Sequence, residues 1–259
     1  MANLHVIAGS SLRSAEPVVR KIGLSDLKDA LAKGFTDFWA MPTHVVFIGL
    51  IYPIIGIVLG RLTLGYDVLS LLFPLAAGFA LVGPFAAIGL YELSRRREQG
   101  LPTTWKNAFD VLQSPSLGAI LVLGILLMII FAIWLAVAQA IYIASFGDAP
   151  AASIPHFIEE VLTTPAGWTL IVVGNGVGFL FALGVLTISV VSFPLLLDRD
   201  VGAPVAVLTS VRAVAANPLT IAAWGVIVAA LLLVGSLPFF IGLAIVVPVL
   251  GHATWHLAP

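Results

Sequence analysis

Between Leu219 and Gly251 the chain runs for thirty-three residues without one Asp, Glu, Lys or Arg. A straight helix of that length would reach about 50 Å, well beyond a hydrocarbon core of about 30 Å. The run must therefore turn back, and the breakers stand at Gly235-Ser236-Leu237-Pro238. Two crossings follow, 219–236 and 238–256. Four further apolar runs of about twenty residues, at 43–60, 70–92, 117–145 and 167–194, bring the expected number of spans to six. Charged residues are only 10% of the 259 and apolar ones 60%, whereas a soluble domain carries about 25% charged. Too little polar surface exists to cover a water-facing globule, so the sequence reads as an all-α integral membrane protein.

The positions of the cations set the expected direction, because Lys and Arg are retained on the cytoplasmic side. Six spans place eleven of the twelve Lys and Arg on one face, among them Arg95, Arg96 and Arg97, and leave Arg61 on the other. Both termini are expected in the cytoplasm. The first apolar run begins only near Val45, too far in for a cleaved signal, so residues 1–23 read as a retained, flexible cytoplasmic segment. With 12 cationic against 13 acidic residues there is no basic surplus for nucleic acid. Cysteine is absent, which removes disulfides and thiolate chemistry.

Self-similarity organises the rest. Phe73-Pro74 to Pro84 aligns without gaps on Leu237-Pro238 to Pro248, with Gly78 on Gly242 and Ala80 on Ala244, and the register carries Tyr91 onto Trp255 and Leu93 onto Leu257. Gly100-Leu-Pro102 precedes Ser114-Pro115 as Gly202-Ala-Pro204 precedes Asn217-Pro218, and Met41-Pro42 holds the same place before the first span. The single membrane domain, 24–257, therefore reads as three tandem hairpins, about 24–98, 99–200 and 201–257. Each is introduced by a short amphipathic helix lying in the interface. Leu24, Leu27, Leu31, Phe35 and Phe38 make the first apolar stripe, with Ser25 as N-cap. Trp105, Phe109 and Leu112 make the second, and Val207, Leu208, Val211 and Ala215 the third. Prolines then suit the first turn of each following span. Outside, Ser153 to Thr164 is expected to form a short helix with Phe157, Ile158, Val161 and Leu162 toward lipid.

Four stretches carry a family resemblance: FPLAAGFALVGPFAAIGLYELSRRREQG from Phe73, TTPAGW from Thr163, SFPLLLDRDVGAPVAV from Ser192 and PVLGHATWHL from Pro248. With the segment around Gly34 to Trp39, they make the chain similar to the bacterial family of predicted integral membrane proteins called domain of unknown function 2189. The resemblance implies a multi-pass protein of the bacterial inner membrane. It implies no activity and transfers no catalytic residue.

Few residues offer chemistry. No Asp, Glu, Lys or Arg falls in the middle of any span, which speaks against a proton relay or an ion-coupled carrier. His252 and His256, four apart, share a face at the depth expected for His44 and Glu92. Two imidazoles so spaced can hold a metal or haem if a third ligand joins them; otherwise they sit in the headgroup region beside Trp255. No cofactor or metal is assigned on this pattern. Asn175, in Gly174-Asn175-Gly176-Val-Gly178, either contacts a substrate path or makes an interhelical hydrogen bond in a seam of Gly174, Gly178 and Ala182. No nucleophile elbow or phosphate loop is present, and no catalytic residue is expected. The sequence reading is thus of a non-enzymatic membrane protein, a scaffold or accessory subunit of a larger assembly such as a respiratory complex, with the bilayer and another membrane protein complex as partners. A facilitative channel or transporter for a small neutral solute, with its path near Asn175, is the alternative.

Overall fold

The structure, a computed structural model, describes residues 17–41, 74, 78, 80–148, 154–237 and 242–258. These residues are helical with no strand among them: α1 (Leu24–Ala40), α2 (Ile88–Glu98), α3 (Leu117–Phe146), α4 (Ile154–Thr163), α5 (Pro165–Ser189), α6 (Ser192–Asp198), α7 (Ala203–Ala216), α8 (Pro218–Ser236) and α9 (Leu243–Leu257). A 3₁₀ turn at Ala80–Val82 and a single helical turn at Gly83–Ala86 lead into α2, and a 3₁₀ segment, Trp105–Gln113, precedes α3. Among the described residues three stretches are long and apolar enough to cross a membrane: Leu117–Phe146, Pro165–Asp198 and Pro218–Ser236. They coincide with the third, fourth and fifth expected spans. The first expected span lies outside the described residues, as does the first part of the second. The sixth corresponds to the shorter α9.

The described residues of 1–50, 84–125 and 186–259 form one compact unit, and those of 51–83 and 126–185 a second. In the first unit α2 packs on the 3₁₀ segment that follows it, α6 packs on α7, and α9 packs on α1. The first two pairs are neighbours in sequence, joined by tight turns at Gly100 (φ 68) and Gly202 (φ 80), where positive φ favours glycine. The third pair joins opposite ends of the chain. A threefold cyclic pattern results, and its register is regular. Gly89 faces Ala108, whose Cβ would be 3.2 Å from a Cβ built on Gly89. The backbone N–H of Val191 donates to Ser210 Oγ at 3.3 Å. A Cβ built on Gly34 would lie 2.7 Å from Ala253 N and from Val249 O. Two residues beyond Gly89, Val191 and Ala253 stand the buried aromatics Tyr91, Phe193 and Trp255; two further come the buried Leu93, Leu195 and Leu257.

Two sequence expectations for α1 change. Its N-cap is Gly23, whose N–H is taken by Asp26 Oδ2 at 2.7 Å, and not Ser25. Its buried side is Leu27, Ala30, Gly34, Asp37 and Phe38, while Leu24 and Phe35 are exposed. Close helix contact selects small residues at its centre, since Gly34 has to admit the backbone of α9; Leu24 and Phe35 are turned outward. The same holds in α7, where Ala203, Ala206, Thr209, Ser210 and Ala213 are buried and Leu208 and Val211 exposed. Trp105, Phe109 and Leu112 of the 3₁₀ segment are exposed together. As expected, α8 starts at Pro218 and the long apolar run breaks after Ser236; α9 packs back on α8 with Gly242 against the backbone of Gly235.

In the second unit Trp134 of α3 organises the contacts. Its ring lies 5.5 Å from Phe181 and leaves room only for hydrogen at Gly178 and Gly78, while its N–H donates to Pro74 O at 3.0 Å. The expected seam on α5 is therefore real at Gly178, whereas Gly174 faces open space. The outer helix α4 forms over the expected residues, and Phe157 packs on Tyr142 and Phe146.

Gly34→Val should lower the melting temperature of the detergent-solubilised protein and expose α1 to protease, because overpacking a tight contact costs about 1–3 kcal/mol. Gly184→Ala, where a Cβ meets nothing within 4 Å, should leave both readouts unchanged or slightly improved.

Candidate functional site

Among the described residues the α1–α9 contact carries the most concentrated polar chemistry. Helical periodicity places Asp37 one turn beyond Gly34 and His256 one turn beyond Ala253, so the tight backbone approach brings them together. Asp37 Oδ2 accepts from His256 Nε2–H at 2.9 Å and from Ser94 Oγ–H at 2.6 Å; Asp37 Oδ1 accepts from Arg97 Nη1. Ser94 is in turn 2.7 Å from His252 Nδ1. One carboxylate thus ties α1 to both α2 and α9. Asp37 is 4% exposed, and Ser94 and His252 are fully buried.

Burial pushes the Asp37 carboxyl up, but hydrogen bonds from His256, Ser94 and Arg97, with the charge of His256, outweigh it and hold the group below its ordinary value. Asp37 is therefore an anion at neutral pH. An anionic carboxylate only accepts, so the single Ser94 proton goes to Asp37, and Ser94 must accept from His252. This fixes the proton of His252 on Nδ1.

Around this centre each arginine of the Arg95-Arg96-Arg97 cluster has its own carboxylate. Arg95 binds Glu92 through Nε at 2.7 Å and Nη2 at 2.9 Å. Arg96 reaches Asp110 at 3.1 Å and also the Pro102 carbonyl, tying α2 to the 3₁₀ segment. Arg97 takes Asp37. Trp255 Nε1–H donates to Glu98 Oε2 at 3.0 Å. In a cluster that in sequence resembles a bare topology signal, Arg96 and Arg97 clamp α2 to other segments, while Arg95 pairs within α2 itself.

Of the site residues singled out from sequence, His252 and His256 do converge, through Ser94 and Asp37. Glu92 is buried but bonded to Arg95, and His44 lies outside the described residues. Among the described residues no three His, Asp or Glu are grouped to hold a metal ion. Asn175 sits on the exposed side of α5, where its Nδ2 donates to Ile171 O of its own helix at 2.7 Å. Sequence reasoning missed Asp37 and Ser94. The signal for Asp37 was its register with Leu27, Ala30 and Gly34, at spacings of three, four and three.

The fold and the polar joint define an all-helical integral membrane protein whose buried charges serve helix-to-helix contact. Residues 72–198, close to half of the chain, match the model of the family described as Predicted integral membrane protein (DUF2189). No curated protein and no solved structure matches it.

Because Asp37 is held below its ordinary value, its contribution to stability is complete above about pH 4, the unfolded value, and is lost as pH falls toward the folded one. The solubilised protein should therefore lose stability below pH 4, and Asp37→Asn should flatten that acid limb. At neutral pH the same variant should cost on the order of 2 kcal/mol, as expected for weakened hydrogen bonds to charged partners. Melting temperature against pH, for both proteins, is the measurement.

Proposed function

We propose that this chain is a bacterial inner-membrane protein of six spans in three hairpins, with both termini cytoplasmic. In this reading it performs no reaction and serves as a scaffold or accessory subunit of a larger membrane assembly, a respiratory complex being one such host.

The observation that carries the proposal is the outer face of α5. Asn175 lies near the middle of a helix long and apolar enough to cross a membrane, yet it is exposed. A side-chain amide facing hydrocarbon is costly, and such groups generally turn toward another helix. Gly174 and Gly176 flank it with open space where side chains would stand, so a second helix has room to approach the backbone. Phe179 and Leu180 continue the exposed face. The buried polar groups support the same reading: Asp37, Ser94 and His252 are engaged with one another inside helix contacts.

Co-purification from native membranes in mild detergent tests this. The tagged protein is expected to bring down a second membrane protein, and Asn175→Leu should weaken that association about threefold, the factor corresponding to about 0.6 kcal/mol for an interhelical hydrogen bond. A protein that runs alone and monodisperse from native membranes overturns the accessory role. Solute flux into liposomes that Asn175→Leu abolishes would assign the amide to a transport path.

A further inference from the structure

One stripe on the outer side of α5 repeats with a period of seven residues. Trp168, Val172, Asn175, Phe179 and Ala182 follow one another at intervals of four, three, four and three, and all five are exposed. This is the spacing of the contact seam in a left-handed helix pair, where each side chain enters a hole on the facing helix. No Asp, Glu, Lys or Arg occurs from Pro165 to Leu197, so no charge interrupts the stripe. Another side of α5 packs on α3, through Gly178 and Phe181 against Trp134. We propose that the stripe binds a second copy of this chain, α5 against α5 about a twofold axis along the membrane normal. The inference rests on the reading of the Asn175 face as a protein contact and names its occupant: the unit that joins a larger assembly is a dimer.

Asn175 selects the occupant. Its Nδ2 gives one hydrogen to Ile171 O at 2.7 Å, and among the described residues its second amide hydrogen and its carbonyl oxygen bond to nothing. A carboxamide with one donor and one acceptor left is complementary to itself, because two of them can exchange a pair of N–H···O bonds. A twofold axis along the membrane normal sets identical residues at identical depth, so a second copy brings the matching group to the right level. An unrelated helix would need a polar residue of its own at that level. A single polar residue inside an otherwise apolar seam also fixes its register.

Depth and shape agree. Asn175 lies ten residues past Pro165, about 15 Å along the helix and so about halfway through a hydrocarbon core of about 30 Å. Trp168, about 10 Å nearer that end, falls where an aromatic belt belongs. At the middle depth no water competes for the amide. Gly176, exposed beside Asn175 with nothing within 4 Å of a built Cβ, removes the side chain that would hold the two backbones apart there.

Because the chain has no cysteine, single cysteines report the contact without background. The test is oxidative cross-linking of the full chain in native membranes. Val172→Cys and Ala182→Cys, on the stripe, should form a disulfide-linked dimer at least fivefold more than Val173→Cys and Gly184→Cys, exposed neighbours that helical geometry turns away from it. Adding Asn175→Leu to Val172→Cys should lower the yield about eightfold, a factor of about three for each of two lost hydrogen bonds. Leucine suits a lipid-facing helix, so this loss does not report unfolding; Asn175→Gln, which keeps the carboxamide, should preserve the dimer. Equal cross-linking at all four positions, no cross-link at the two stripe positions, or a yield unmoved by Asn175→Leu overturns the inference. If another membrane protein co-purifies while the stripe cysteines form no dimer, the accessory role stands and the second copy does not. A stripe dimer with no other protein attached leaves this inference standing and removes the accessory role.

Discussion

Asp37 joins three helices that are distant in sequence, and the joint works because its charge is matched inside a nearly dry contact. A carboxylate buried alone would be protonated or expelled. Here Arg97, His256 and Ser94 supply donors from two other helices, so ionisation is favoured and the helices are held by the need to satisfy it. The glycine one turn earlier makes this possible. Without the close approach at Gly34, the Asp37 oxygens would not reach the imidazole of His256. Small residues thus set the distance between helices, and the polar joint uses that distance.

The other two interhelical joints are simpler. Gly89 with Ala108 and Val191 with Ser210 connect segments that a short turn already links. A loop of a few residues keeps such partners together at small entropic cost. The α9–α1 joint has no connecting turn, and it is the one with a buried ionic network. In this unit the buried network stands where chain connectivity does not help, while the turn-linked α2 joint has the more exposed Arg96–Asp110 pair.

How much of this was legible in the sequence depends on the kind of signal. Long apolar runs gave the helices Leu117–Phe146 and Pro218–Ser236 to within a residue or two, because lipid-length hydrophobicity is a strong local pattern. The likeness of Tyr91 and Leu93 to Trp255 and Leu257 was readable in a gapless alignment. Its third copy, Phe193 and Leu195, was hidden because Pro194 stands where the other copies have Glu92 and His256. The amphipathic stripe of α1 was drawn through large apolar residues and so caught Leu27 and Phe38 of the buried face but missed Ala30, Gly34 and Asp37. Lipid-facing surfaces reverse the usual expectation: Phe35 and Leu24 lie outside, while alanine, glycine and an aspartate lie inside. His252 and His256 were correctly placed on one face, but their partner Asp37 is 219 residues away from His256 and no local pattern connects them.

That separation has a consequence for biosynthesis. A ribosome adding 5–20 residues per second makes Asp37 on the order of ten to forty seconds before His256. Throughout that interval the first helix lacks its dock on α9, and its carboxylate lacks the His256 donor. The final turn of α9 therefore acts as a latch that only a chain translated through His256 can engage. A polypeptide interrupted before Ala253 would leave the Gly34–Asp37 edge uncovered, a ready mark of incompleteness for any membrane protease that surveys new proteins.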